Sequence, residues 1–116
     1  MGAISGFFCR RGDRADSEVL RRMSGTLAHR GPAGESVHVA GPLALAHRRD
    51  RLGDPISATA QGSRLLAGRY RAVCSGRVFN WRDIARDLAA RNGQPPAADC
   101  LEAIVLAYHE GGTAAF

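Results

Sequence analysis

The sequence predicts an α+β fold, built as one small domain over residues 1–116. Three stretches repeat apolar residues at helical spacing, and several short apolar runs separated by glycine turns are typical of strands. Their order is one strand, one helix, several strands and then two helices, which differs from the regular alternation of a doubly wound sheet. The length, with 45% apolar residues, suffices for one modest core.

The first predicted helix follows Asp16, a residue type favoured at the N-cap. We expect it to end near "HRGP", because Pro32 cannot continue a helix and Gly31 suits the position after one. His29 would then interact with the carbonyl groups of its last turn. Its expected core stripe consists of Val19, Leu20, Met23 and Leu27.

The second predicted helix begins at Asn80, with Asp83 three residues later in an arrangement like a capping box. The third starts near Asp99 or Cys100, and Gly111 with Gly112 ends it. Their expected core stripes are Trp81, Ile84, Ala85 and Leu88 in the second helix, and Leu101, Ile104, Val105 and Tyr108 in the third.

Five segments between the helices have the composition of strands, and short glycine turns separate several of them. The last is long enough to bend at Ser75 and Gly76. The predicted strands are Ile4–Phe8, Val37–Ala40, Leu43–His47, Arg64–Gly68 and Tyr70–Phe79.

The net charge is +5, and all sixteen basic residues are arginine. They are spread along the whole chain without interleaved aromatic residues, which favours solvated surface charge over nucleic-acid binding. No apolar run approaches the roughly 20 residues of a membrane helix, and the first charges follow the apolar start instead of preceding it as in a signal peptide. We therefore expect a cytoplasmic protein with no membrane partner.

The three cysteines, Cys9, Cys74 and Cys100, are odd in number and widely spaced. They indicate no disulfide framework. Together with the four histidines they form no pair at the spacing of zinc ligands, so no metal site is predicted.

Five blocks of this sequence occur in a fixed order: "GAISGFF", "LAHRGPAGE", "LALAHRRDRLGD", "CSGRVFNWRDIARDL" and "LEAIVLAYHEGG". In this order they resemble the N-terminal glutaminase domain of asparagine synthetases, a class II glutamine amidotransferase and N-terminal-nucleophile hydrolase. The resemblance implies an αββα sandwich of antiparallel sheets. In the family the domain continues with further strands and an ATP-using synthetase domain, so we expect this chain to be a partial domain, incomplete at its C-terminal end.

The family's nucleophile is a cysteine that becomes the first residue once the initiator methionine is removed. Its thiol attacks the side-chain amide of glutamine, and its own α-amine serves as the base. The family pattern reads Met-Cys-Gly-Ile, whereas this chain reads Met-Gly-Ala-Ile, with Gly2 at the nucleophile position. Glycine has no side chain to form a thioester, and Cys9 has no free amine beside it. No catalytic residue and no glutaminase activity are therefore expected.

Part of the family's glutamine pocket matches. Arg49 aligns with the arginine that binds the substrate carboxylate, and Asp50 replaces the leucine after it, where it could pair with Arg49. Ser75, Gly76 and Arg77 replace the Asn-Gly-Glu of the oxyanion hole. A backbone N–H would survive there, while the amide side chain is lost and one charge is reversed.

The family's acidic residue for the substrate amine aligns with either of two positions. Alignment on Glu102 places Cys100 there, and a shift of one residue places Asp99 there. Arg49, Ser75, Gly76, Asp99 and Cys100, together with Arg77, are thus the expected remains of the pocket.

The resemblance implies a catalytically dead domain that is a structural part or split partner of an ATP-dependent, asparagine synthetase-like enzyme. Nucleophile-less domains of this kind occur in β-lactam synthetase and in the cyclases of lasso peptides, which points to peptide or natural-product biosynthesis. The chain itself would hold no cofactor, and ATP and Mg²⁺ would bind only to a synthetase-like partner.

Two other interpretations remain open. A free-standing module would reuse the pocket, with Arg49, Gly76 and Arg77, for a small carboxylate or a peptide terminus. A scaffold would recruit a partner or a second copy of itself through an exposed sheet edge.

Overall fold

The computed structural model of the chain describes residues 2–51, 69–76 and 78–115. Strands and helices alternate with short turns in the first of these ranges, and helices dominate the last. The elements are β1 (Ala3–Phe8), α1 (Ser17–Gly25), β2 (Gly34–Ala40), β3 (Leu43–Arg49), α2 (Trp81–Asn92) and α3 (Cys100–Gly111), followed by a short 3₁₀ helix (Gly112–Ala115).

The described residues divide into two compact units. Residues 2–51 and 73–76 form the sheet unit, and residues 69–72 and 78–115 form the helical unit. One unit combines an antiparallel sheet with α1, and the other contains the remaining helices. This confirms the α+β class and is compatible with an N-terminal-nucleophile hydrolase fold.

The sheet unit contains a three-stranded antiparallel sheet in the order β1-β3-β2. Because strand side chains alternate between faces, one face of the sheet receives Ala44, Ala46 and Phe7. Helix α1 packs on this face through Leu20, which is completely buried. The core of the unit therefore lies between the sheet and α1.

Helix α1 begins as predicted, because the carboxylate of Asp16 accepts a hydrogen bond of 2.8 Å from the backbone N–H of Glu18. It ends at Gly25, so the predicted end near "HRGP" is wrong. The hydroxyl of Thr26 donates to the carbonyl of Met23 at 2.7 Å, and residues 26–30 continue as tight turns. His29 consequently lies outside the helix.

The predicted core stripe of α1 is also partly wrong. Leu20 is buried as expected, but Met23 is 37% exposed and Ser24 is buried in its place. Ser24 lies within reach of an arginine on β3, as described below, and this polar contact places the serine on the inner face.

Helices α2 and α3 pack against each other in the helical unit. Their contact uses small residues as well as the predicted stripes, since Ala85 and Ala103 are buried beside Leu88, Leu101 and Val105. Tyr108 was predicted in the core stripe but is 45% exposed, so this expectation is wrong. Gly93, with φ of 63°, ends α2 in the left-handed conformation that glycine adopts without strain.

Two predicted strands have different outcomes. Arg64–Gly68 lies outside the described residues. Tyr70–Phe79 is wrong as a strand, because the described residues beyond a single bridge at Tyr70 have no regular strand structure. The chain bends at Gly76, whose φ is 134°.

Within the ranges that the structure describes, no helix combines the length and the apolar character needed to cross a bilayer.

Candidate functional site

Gly2, at the position of the family's nucleophile, lies just before β1 and against the backbone at the end of β3. Strand pairing sets Ala3 opposite Arg48, so Gly2 lies just outside the ladder beside this end of β3. A Cβ atom at residue 2 would overlap the carbonyl oxygen of Arg48 and would lie 3.3 Å from the Ser75 hydroxyl oxygen. Gly2 and Ser75 are therefore brought together, at a place where the backbone leaves no room for a side chain.

Arg49, the last residue of β3, lies opposite Gly34, the first residue of β2. A Cβ at Gly34 would lie only 2.7 Å from a terminal nitrogen of the Arg49 guanidinium and 3.4 Å from its Nε. Gly34 also has a φ of 146°, which side chains rarely permit. The guanidinium of Arg49 therefore packs over Gly34. Two features favour glycine there, namely the positive φ and the close approach of the arginine.

The guanidinium of Arg49 has an unused donor. Its Nε atom is buried and has no hydrogen-bond partner among the described residues. The carboxylate of Asp50 accepts a hydrogen bond of 2.6 Å from the backbone N–H of Arg51. A buried donor without a partner costs free energy, and an anion that accepted from it would recover that cost.

The neighbouring Arg48 has polar partners on two other elements. Its Nε donates to the carbonyl oxygen of Ser24 at 2.6 Å and to the hydroxyl of Ser24 at 3.0 Å, and a terminal nitrogen lies 3.4 Å from Glu35. Gly31 packs so closely on its backbone that a Cβ there would lie 2.9 Å from the Arg48 carbonyl oxygen. Arg48 thus joins α1, β2 and the "HRGP" turn to the end of β3.

Of the oxyanion-hole positions, Ser75 and Gly76 belong to the sheet unit and Arg77 lies outside the described residues. Gly76 has a φ of 134°, in the region that favours glycine. The sheet unit therefore holds Gly2, Arg49, Ser75 and Gly76 among the predicted site residues.

Asp99 and Cys100 belong to the helical unit, at the start of α3. The carboxylate of Asp99 accepts from the N–H of Glu102 at 2.8 Å, and the carboxylate of Glu102 accepts from the N–H of Ala98 at 2.7 Å. Asp99 therefore caps α3, and Cys100 is buried as its first residue with 4% exposure.

Arg48 and Gly34 contribute to this site although sequence reasoning selected neither. The adjacent pair of arginines in the sequence does not show which guanidinium group has partners. The partners of Arg48, Ser24 and Glu35, are distant from it in the chain. The glycines of "HRGPAGE" carried the available signal, since glycine permits both positive φ and close approach.

The arrangement is suited to binding an anion at Arg49, because guanidinium groups bind carboxylates with charge-assisted hydrogen bonds. It supplies no side chain at residue 2 that could attack an amide. Among the described residues, no cluster of three or more histidine, cysteine or acidic side chains has the arrangement to hold a metal ion.

The family model of the glutamine amidotransferase domain matches residues 1–116. No curated protein and no solved structure matches the chain significantly.

Proposed function

Because the chain belongs to the glutamine amidotransferase domain family, we propose that it is a member without glutaminase activity. In this proposal it serves as a structural part or split partner of an ATP-dependent, asparagine synthetase-like enzyme that forms amide bonds in peptide or natural-product biosynthesis. The amine would come from the substrate, and ATP and Mg²⁺ would bind to the synthetase-like partner.

The observation that carries the proposal is the surroundings of Gly2. A cysteine nucleophile needs a Cβ at this position, and that atom would overlap the Arg48 carbonyl oxygen. Ser75 also replaces the amide side chain that would stabilise the oxyanion. Loss of the nucleophile alone would remove covalent catalysis, and these two features oppose its return.

An assay of glutamate release from glutamine tests the loss of activity. We expect no release above the uncatalysed rate from the native chain, and none from Gly2→Cys or from Gly2→Cys combined with Ser75→Asn. An active glutaminase of the family, run in parallel, establishes that the assay detects hydrolysis. Turnover by the native chain would refute the proposed inactivity.

Affinity isolation from native extract followed by mass spectrometry tests the partnership. We expect a protein with an ATP-using synthetase domain to co-purify with the chain. Reconstituted amide formation should then require both proteins together with ATP and Mg²⁺. A synthetase that forms the amide equally well without the chain would exclude the role of split partner.

The buried Nε of Arg49 favours a second candidate function, a binding module for a small carboxylate or a peptide terminus. The guanidinium lies against Gly34, and its Nε has no hydrogen-bond partner among the residues that the structure describes. A carboxylate that accepted from Nε and a terminal nitrogen would make the bidentate contact to which arginine is suited.

Calorimetric titration with L-glutamate, with glutamine as a second ligand, tests this candidate. We expect saturable binding that weakens roughly tenfold or more in Arg49→Gln, as for loss of a charge-assisted bidentate contact. Arg51→Gln removes the same charge two residues away and should leave the affinity unchanged. Equal weakening in both variants, or no binding by the native chain, would rule out the Arg49 pocket.

A further inference from the structure

A groove runs along one side of α2 in the helical unit, and none of the residues that line it is a predicted residue of the amidotransferase pocket. Its volume is about 360 Å³. Trp81, Ala85 and Ala89 form an apolar floor from the helix, and Pro96 closes one side from the loop that follows it. We call this feature the Trp81 groove.

The charged groups that line the Trp81 groove are both arginines, Arg82 and Arg86. The guanidinium of Arg82 lies over the Trp81 ring, with 5.1 Å between its central carbon and the ring centroid. Arg86 lies 3.5 Å from Asp83, but these side chains are 77% and 70% exposed, so water screens their attraction. Both guanidinium groups are therefore accessible to an incoming anion.

Tryptophan and arginine are the residue types most enriched where protein interfaces gain their affinity. Phe79, two residues before Trp81, is 93% exposed and adds a large apolar side chain at the same end of α2. An apolar floor with a cationic rim fits a ligand that is apolar on one side and acidic on the other.

We propose that the Trp81 groove is a docking site for an acidic amphipathic segment of a partner protein. An apolar side chain of the segment fills the floor beside Trp81, and its carboxylates bind to Arg82 and Arg86. This inference does not rest on the proposed function, because none of its residues belongs to the amidotransferase pocket.

The same residue types could suggest nucleic acid, but the geometry favours a peptide. A base-stacking site needs an open aromatic face, and the guanidinium of Arg82 covers one face of Trp81. A phosphate-binding path also needs a row of cations, whereas two arginines line this groove.

Trp81 is the one tryptophan of the chain, so its fluorescence reports directly on the groove. The probe is a blocked synthetic peptide of about 14 residues, long enough for a marginal helix, with leucine on one face and glutamate on the other. We expect a saturable change in Trp81 fluorescence that weakens with rising salt. The same peptide with glutamine in place of glutamate should bind at least roughly fivefold more weakly.

Variants locate the binding. Arg86→Gln and Arg82→Gln should each lower the affinity for the acidic peptide roughly fivefold, because each substitution removes one charged contact. Arg91→Gln is the matched control, since it removes the same charge from the same helix but lines a different groove with Asp87 and Glu110. It should leave the affinity unchanged, and far-UV circular dichroism verifies that all three variants stay folded.

Three results would overturn the proposal. The first is equal weakening in Arg91→Gln, which would mean attraction to net charge only. The second is equal affinity for the glutamate and glutamine peptides, or the absence of any saturable change. The third is tighter binding of a single-stranded oligonucleotide that is lost in the Arg82 and Arg86 variants, which would assign the groove to nucleic acid.

Discussion

Arg48 and Arg49 are adjacent in the chain, yet their guanidinium groups have different surroundings. Arg48 is bonded to Ser24 and lies near Glu35, whereas the Nε of Arg49 is buried without a partner among the described residues. Alternation along β3 explains the difference, because successive side chains point to opposite faces of a sheet. Arg48 therefore joins elements of the fold, whereas the Nε of Arg49 has no partner in the part of the chain that the structure describes.

Replacing Arg48 by glutamine should lower the free energy of unfolding by about 1–3 kcal/mol. The change leaves the carbonyl and hydroxyl of Ser24 without their charged donor, and Ser24 is only 1% exposed. Urea unfolding followed by circular dichroism measures the effect. The matched variant Arg51→Gln, at an exposed position, should change stability by less than about 0.5 kcal/mol, and equal losses would contradict the role of Arg48.

Replacing Gly34 by alanine should cost about 1–3 kcal/mol of stability and weaken any carboxylate binding at Arg49. Alanine at residue 34 would be strained at a φ of 146°, and its Cβ would lie 2.7 Å from the Arg49 guanidinium. Gly41→Ala is the control, since Gly41 also has a positive φ of 55° but has open space around it. Urea unfolding should show that Gly41→Ala loses stability, and glutamate titration should show that its binding is unchanged. Unchanged binding in Gly34→Ala would refute the coupling between Gly34 and carboxylate binding at Arg49.

The starts of α2 and α3 contain different caps, although the N-cap residue of each has a side chain that can accept a hydrogen bond from the helix. At α3 the carboxylate of Asp99 accepts a hydrogen bond from the N–H of Glu102, and the carboxylate of Glu102 accepts from the N–H of Ala98, one residue before the N-cap. Asn80 is the N-cap of α2 but makes no side-chain hydrogen bond there, so the predicted box with Asp83 is wrong. Asn80 has a φ of −96° and a ψ of 18° instead of the extended conformation that directs a cap side chain to the helix, and Asp83 lies 3.5 Å from Arg86 instead.

This difference predicts unequal effects of two similar substitutions. Asp99→Ala should destabilise the chain by about 1 kcal/mol, because it removes an acceptor for an N–H of the first turn. Asn80→Ala removes no such bond and should cost at most a few tenths of a kcal/mol. Thermal and urea unfolding of the two variants provide the comparison, and a loss in Asn80→Ala as large as in Asp99→Ala would show that the caps are equivalent.

At the scale of the whole molecule, β1 exposes apolar surface on the face away from α1. Ile4 is 48% exposed and Phe8 is 63% exposed, while Phe7 between them faces the core. Large apolar side chains exposed on one face of a strand are candidates for a protein interface. A synthetase-like partner that covered it would agree with the proposed role of the chain.

Without such a partner we expect the purified chain to self-associate as its concentration rises. Light scattering after gel filtration should give a mass above the 12.3 kDa of one chain. Phe8→Thr should shift the population toward monomer, because it removes apolar area from the exposed face of β1. Phe79→Thr removes a comparable exposed phenylalanine from the helical unit and should not. A concentration-independent monomer would contradict the expectation.

The accuracy of the sequence-based predictions depended on how local the determining interactions are. Asp16 was recognisable as a cap, the start of α3 was predicted near Asp99, and β1 and β3 were predicted within two residues at each end, because these features depend on neighbouring residues. The end of α1 was missed because Thr26 bonds back to Met23. The strand predicted over Tyr70–Phe79 was missed because a strand needs a partner as well as apolar composition.

The sequence by itself determined the α+β class, where each helix starts and the absence of a side chain at Gly2, since each follows from residue type and short-range spacing. Only the tertiary structure decided that Gly2 lies against the Arg48 carbonyl and that Arg49 packs over Gly34, with no partner for its Nε among the described residues. The physical reason is that such contacts join residues distant in the chain. Strand register and packing fix them, and residue preferences do not.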